Sequence, residues 1–166
     1  MELKTWSALA FTEEEIELIF TKMEYTKIRQ VCNEIEDEAS GQRQIKRDVY
    51  VRWLLDTETN KWLFDKIWDL VQLSNTSLFN YSLAGPPKEI QFSHYLKNHF
   101  HDWHTDAGEG LHKKRVLNVV VQLSDPNDYS GGGLEFRQNE VVTIAPKTKG
   151  SAIIFPAQLE HQVPPL

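Results

Sequence analysis

Cysteine is almost absent: the 166 residues contain one, Cys32. That excludes an internal disulfide and any metal site built from cysteine alone. A half-buried structural thiol in a reducing compartment is the expectation for it. Long apolar runs are missing too, and none approaches the roughly 18 residues that a membrane span needs. Residues 1–10 place no apolar core behind basic residues, which argues against a secretory signal. Positive charge is in short supply. Eighteen Lys and Arg against 24 Asp and Glu leave a net charge of -6. Non-specific grip on nucleic acid or on an anionic membrane rewards the opposite balance. The chain has no internal repeat and no low-complexity tail. What remains is long enough for one domain with a real core, expected in the cytoplasm, with neither nucleic acid nor membrane as partner. Nothing in composition fixes an oligomeric state.

The first half reads as helical. Thr12-Glu13-Glu14-Glu15 has the form of a capping box, with Phe11 and Ile16 placed for a hydrophobic staple. Ile16, Ile19, Phe20 and Met23 recur at helical spacing, which predicts a helix over 13–24. Residues 27–38 are ambiguous: Ile28, Val31, Cys32 and Ile35 fit a helix, while a strand could occupy the first half. Residues 39–44 read as a loop. Val49, Val51 and Trp53 alternate with polar neighbours, as in a half-buried strand. A second helix is expected over 60–73. Its broad apolar face, with Trp62, Phe64, Ile67 and Trp68, is expected to pack across a sheet.

From Leu78 onward the pattern changes to strands and turns. Phe79, Tyr81 and Leu83 alternate, and Gly85-Pro86-Pro87 breaks the chain. Ile90, Phe92, His94 and Leu96 share one face of a further strand. Thr105 to Lys114 reads as a mobile loop. Val116–Leu123, Leu134–Phe136, Val141–Ala145 and Ser151–Phe155 read as strands. Helices followed by many short strands predict an α+β chain, mainly β, whose β part is a sandwich or barrel.

The stretch His99-Phe100-His101-Asp102-Trp103-His104-Thr105-Asp106 holds three histidines and two aspartates in eight residues. On an extended strand His104 and Asp106 point to the same side, so an imidazole nitrogen and a carboxylate oxygen can grip one cation. His161 is the candidate third ligand. Two histidines and a carboxylate on one side of a metal leave the other positions open, as in non-haem Fe(II) oxygenases. Alone the pair is weak: six histidines with a one-in-twenty chance of Asp two places on give about 0.3 chance matches. A surface histidine and a turn aspartate would explain it as well.

The ordered set is more specific. His104-x-Asp106, Val120-Val121-Gln122-Leu123-Ser124-Asp125-Pro126, Ser130-Gly131-Gly132, Ile153-Ile154-Phe155-Pro156 and His161-Gln162-Val163-Pro164-Pro165 follow one another. Together they resemble the prolyl/lysyl-hydroxylase-type branch of the 2-oxoglutarate- and Fe(II)-dependent oxygenases, over roughly residues 78–166. The resemblance implies a double-stranded β-helix, a jelly-roll of the cupin-like kind, braced by N-terminal helices. Under it, residues 1–75 form a helical part and 78–166 the β core of one domain.

The resemblance also implies Fe(II) held by His104, Asp106 and His161, with 2-oxoglutarate as cosubstrate and ascorbate as an accessory reductant. Tyr95 would bond a 2-oxoglutarate carboxylate and Leu134 would line its pocket. The implied reaction hydroxylates an aliphatic C–H bond of a small molecule or peptidyl side chain, such as a prolyl group, and yields succinate and CO2. His99 and His101 fall out of phase with the motif and are expected to face solvent or substrate. Family members carry a basic residue about nine or ten places after the distal histidine. Here Leu166 is the last residue, so the expectation is a natural chain that continues past it, or a different cosubstrate anchor. Two alternatives remain open: a non-catalytic metal-binding or interaction domain on the same fold, and a jelly-roll binding module that needs no metal.

Overall fold

The computed structural model describes residues 4–36, 42–108 and 115–166. In chain order its elements are β1 (Trp6–Leu9), α1 (Glu13–Glu24), β2 (Arg29–Glu36), β3 (Arg43–Leu55), α2 (Lys61–Ser74), β4 (Glu89–His94), β5 (Phe100–His104), β6 (Leu117–Val121), β7 (Glu135–Gln138), β8 (Val141–Ile144), β9 (Ser151–Pro156) and β10 (Glu160–Val163). The strands form two sheets. A small one has the order β1-β9-β6. A larger one runs β2-β3-β5-β10-β7-β8, with β4 also paired to β3. Thirteen-residue β3 carries β2 along one edge and β5 and β4 in succession along the other. This is the double-stranded β-helix expected from the resemblance.

Strand β9 shows why the layers stack as they do. Its alternate residues serve two cores. Ala152 and Ile154 pack with Ile16, Ile19 and Met23 of α1 and with Leu63, Phe64, Ile67 and Val71 of α2. Ile153 and Phe155 face the other way, against Leu134, Phe136 and Ala145. The Trp-rich helix thus braces a sheet, as its apolar face predicts. Helix α1 begins at the expected capping box: the Glu15 amide donates to Thr12 Oγ1 (3.3 Å), and the Thr12 amide donates to a Glu15 carboxylate oxygen (2.9 Å). Gly150, at φ +85°, lets its carbonyl accept from the amides of Ala10 and Phe11, 3.0 Å each. A Cβ there would meet the Phe11 carbonyl oxygen at 2.4 Å.

Several expectations need correction. The first 75 residues are not simply helical, since β1, β2 and β3 lie among them. The ambiguous stretch after α1 is strand β2, whose eight residues all pair with β3. Ile35 stays exposed, so the helical apolar stripe is never used, and Cys32 is exposed rather than half-buried. Residues 43–44, expected in a loop, belong to β3. Residues 79–83 form no strand. A π-helical turn spans Asn75–Phe79. The Asn75 side chain then accepts from the Tyr81 amide (2.8 Å) and donates to the Tyr81 carbonyl (2.9 Å), occupying both groups that a strand would offer. On β3 the buried positions run Val49, Val51 and then Leu54, leaving Trp53 exposed. Strand β10 has no counterpart in the sequence reading. Residues 109–114 of the expected loop lie outside the described residues.

Candidate metal centre

Strands β5 and β10 are antiparallel neighbours, and His104 stands directly opposite His161. The strand ends at His104, so Asp106 lies just beyond it rather than on it. Its amide is fixed by donating to the Ala157 carbonyl (2.9 Å), in the turn between β9 and β10. The side chains converge. His104 Nε2 is 3.8 Å from Asp106 Oδ1, and His161 Nε2 is 3.6 Å from Asp106 Oδ2. One donor atom from each residue lies within 4.8 Å of the other two. These separations exceed a hydrogen bond and suit three ligands around one cation.

Each imidazole is held by its far nitrogen. His104 Nδ1 is 2.7 Å from the Asp102 carbonyl, and His161 Nδ1 is 2.9 Å from the Leu159 carbonyl. A carbonyl can only accept, so Nδ1 carries the proton and Nε2 offers its lone pair toward the centre. Asn118, on β6, donates to Asp106 Oδ2 at 2.8 Å. His161 is buried and its ring meets Phe155 edge-on at 4.9 Å. Phe155 belongs to the inner core that also buries Leu134.

Electrostatics favour the metal-binding forms. Burial, then the neighbouring His161, lowers the pKa of His104, which keeps it neutral near pH 7. Burial alone would raise the Asp106 pKa, but the neighbouring His161, with help from His104 and Arg115, brings it down to about 2. Two imidazole nitrogens and one carboxylate make a donor set that fits Fe(II).

Sequence reasoning missed three side chains near this centre. His101 pairs with Val163 while His104 pairs with His161: three residues on β5 against two on β10. This bulge re-aims a side chain. It brings the His101 and His104 rings into a stack at 3.6 Å, so His101 does not lie out of phase. Burial, then His104 and Arg47, drops the His101 pKa to about 3. Arg47 is directly opposite His101 on β3. It lies in phase with Val49 and Val51, and a charge on that buried face was a usable signal. Asn118 was visible as the one amide inside the apolar run 116–121.

Tyr95 follows β4 and is half-buried; burial raises its pKa while Arg47 lowers it, which places the phenol near that guanidinium. Asp102 instead turns to Lys46, at 2.7 Å. Trp103 lies under the Arg137 guanidinium, 4.3 Å from the ring centre, and Arg137 pairs with Glu160. His112, Lys113 and Lys114 lie outside the described residues.

A jelly-roll whose paired strands bring two imidazoles and a carboxylate together defines the class of Fe(II)-dependent oxygenase folds, and comparisons with known proteins agree. Residues 90–166, a little under half of the chain, match the family model of the 2OG-Fe(II) oxygenase superfamily. Over 74 residues the chain is 34% identical to the PKHD-type hydroxylase azo0608 of Azoarcus sp. (strain BH72), covering 42% of this chain and 32% of that protein. The chain thus spans about a third of the curated relative's length. Two solved structures share the fold. A Pseudomonas putida prolyl-4-hydroxylase superposes with a TM-score of 0.66 at 16% identity, over 98% of this chain and 85% of its own. A Trichoplax adhaerens prolyl hydroxylase, in complex with a hypoxia inducible factor peptide fragment, gives 0.65 at 16% identity, over 97% and 77%. No helix among the described residues is long and apolar enough to cross a membrane.

Proposed function

We propose that the protein is an Fe(II)- and 2-oxoglutarate-dependent dioxygenase that hydroxylates an aliphatic C–H bond, releasing succinate and CO2. The convergence of His104, Asp106 and His161 on one point carries this reading. These three residues would hold the iron, with Tyr95 and Leu134 toward the cosubstrate. Bound there, the metal and 2-oxoglutarate supply the oxidising power that no amino-acid side chain has. The chain's own part is preparatory. The carbonyls of Asp102 and Leu159 fix the imidazole tautomers, Asn118 orients the carboxylate, and Phe155 keeps the His161 side dry. The substrate class is a small molecule or a peptidyl side chain. The peptide held by the Trichoplax structure supports the latter, with a prolyl group as the first candidate.

The test is Fe(II)- and 2-oxoglutarate-dependent succinate formation in the presence of prolyl peptides and free amino acids. Succinate made by the wild type and not by Asp106→Ala supports the reading. Equal rates in both would refute it.

A further inference from the structure

The meeting of His104 and His161 rests on a thin backbone pairing. Among the described residues two residue pairs join β5 to β10, His104 with His161 and His101 with Val163, and a bulge separates them. A bulge disrupts the ladder, so the backbone alone fixes the two imidazoles weakly. Further support lies on the opposite face of the sheet. Neighbouring residues on a strand point to opposite faces. With both imidazoles directed at the centre, Trp103 and Glu160 point away from it, each one place before a ligand histidine. One side chain, Arg137 of β7, engages both.

Arg137 Nε and Nη2 donate to the two Glu160 carboxylate oxygens, at 2.7 and 2.5 Å. The same guanidinium lies over the Trp103 ring, 4.3 Å from its centre. Strand β10 runs between β7 and β5, so the side chain crosses β10 to reach Trp103 and ties three strands together. Register matches this: Arg137 stands opposite Glu160, and the adjacent Phe136 stands opposite His161. A half-exposed ion pair alone contributes little. This one is bidentate and shares its cation with an aromatic face, which fixes the plane of the guanidinium. Such a geometry rewards one strand register and resists slip. We propose that Arg137 is a positioning residue for the metal centre. By holding Trp103 and Glu160 together from behind, it holds His104 and His161 at the separation that one cation needs. This rests on the reading of His104, Asp106 and His161 as a metal centre.

The experiment is calorimetric titration of Mn(II), without oxygen, into the 166-residue chain and its variants, beside thermal melts of the metal-free samples. Charge and positioning predict opposite signs. Removing a cation from the neighbourhood of a dication should by itself tighten binding. Loosening the strands should weaken it. Arg137→Gln should weaken Mn(II) roughly 3- to 30-fold, the joint worth of the ring contact and the ion pair. Arg137→Lys should recover only part of the loss, since an ammonium lacks the planar fork that serves both partners. Thr12→Ala, at the start of α1, is the stability control: its thermal midpoint falls while its Mn(II) affinity stays at the wild-type level. Equal or tighter binding in Arg137→Gln overturns the positioning role and leaves the triad intact. So does an equal loss in Thr12→Ala, which would make the effect one of general stability. Should Arg137→Gln not fold, Arg137→Lys decides in its place: weaker binding supports the role, wild-type binding overturns it. Failure of the wild type to bind Mn(II) overturns both the role and the metal centre.

Discussion

At the scale of single residues, the site depends on side chains that never touch the metal position as well as on those that face it. Asn118 holds Asp106 Oδ2 at 2.8 Å. Its replacement by Ala should weaken metal binding about 10- to 100-fold, the usual effect of losing such a partner, with little loss of fold. Mn(II) titration by calorimetry measures this directly. His101 makes a separate expectation for the metal-free chain. Unfolded, its pKa is near the ordinary 6.5; folded, it falls to about 3. Between those values the unfolded chain takes a proton that the folded chain refuses. Stability is therefore full above the unfolded pKa and declines as pH drops toward 3, by at most about 1.4 kcal/mol per pH unit. Urea melts from pH 7 to pH 4 should show the decline, and His101→Gln should flatten it.

The triad was readable because two of its members sit two residues apart and the third follows a short apolar strand. His101 was not, because one bulge reverses the facing that a regular strand would give. Arg47 lies more than fifty residues before the motif, and only strand pairing brings it there.

At the scale of elements, local chemistry decided some segments and pairing decided others. The capping box on α1 is a purely local signal, and it formed as written. Removing the Thr12 hydroxyl with Ala should cost about 1 kcal/mol, seen as a lowered thermal midpoint with the site unchanged. Strand β2 is the opposite case. Its apolar residues suit a helix, but eight backbone pairings to β3 outweigh that preference, and the stripe is left in solvent. Residues 79–83 alternate as a strand would, yet the Asn75 amide takes up the backbone groups of Tyr81. Strand β10 is four residues long, too short for its alternation to be noticed, although it carries His161.

At the scale of the whole molecule, the two cores meet at β9, whose two faces bind the bracing helices to the inner layer next to the site. Helices α1 and α2 therefore act on the metal centre through the sheet and the β9–β10 turn, where the Ala157 carbonyl holds the amide of Asp106. Residues 104, 106 and 161 are thereby tied, through β9 and its turn, to the bracing layer. The account depends on those three residues sharing one cation. Crystals grown with Mn(II) in place of Fe(II), measured for anomalous scattering, test it most directly. The account expects one peak per chain, bonded to Nε2 of His104, Nε2 of His161 and the Asp106 carboxylate, and lost in His161→Ala. A peak bound elsewhere, or none between those side chains in the wild type, would contradict it.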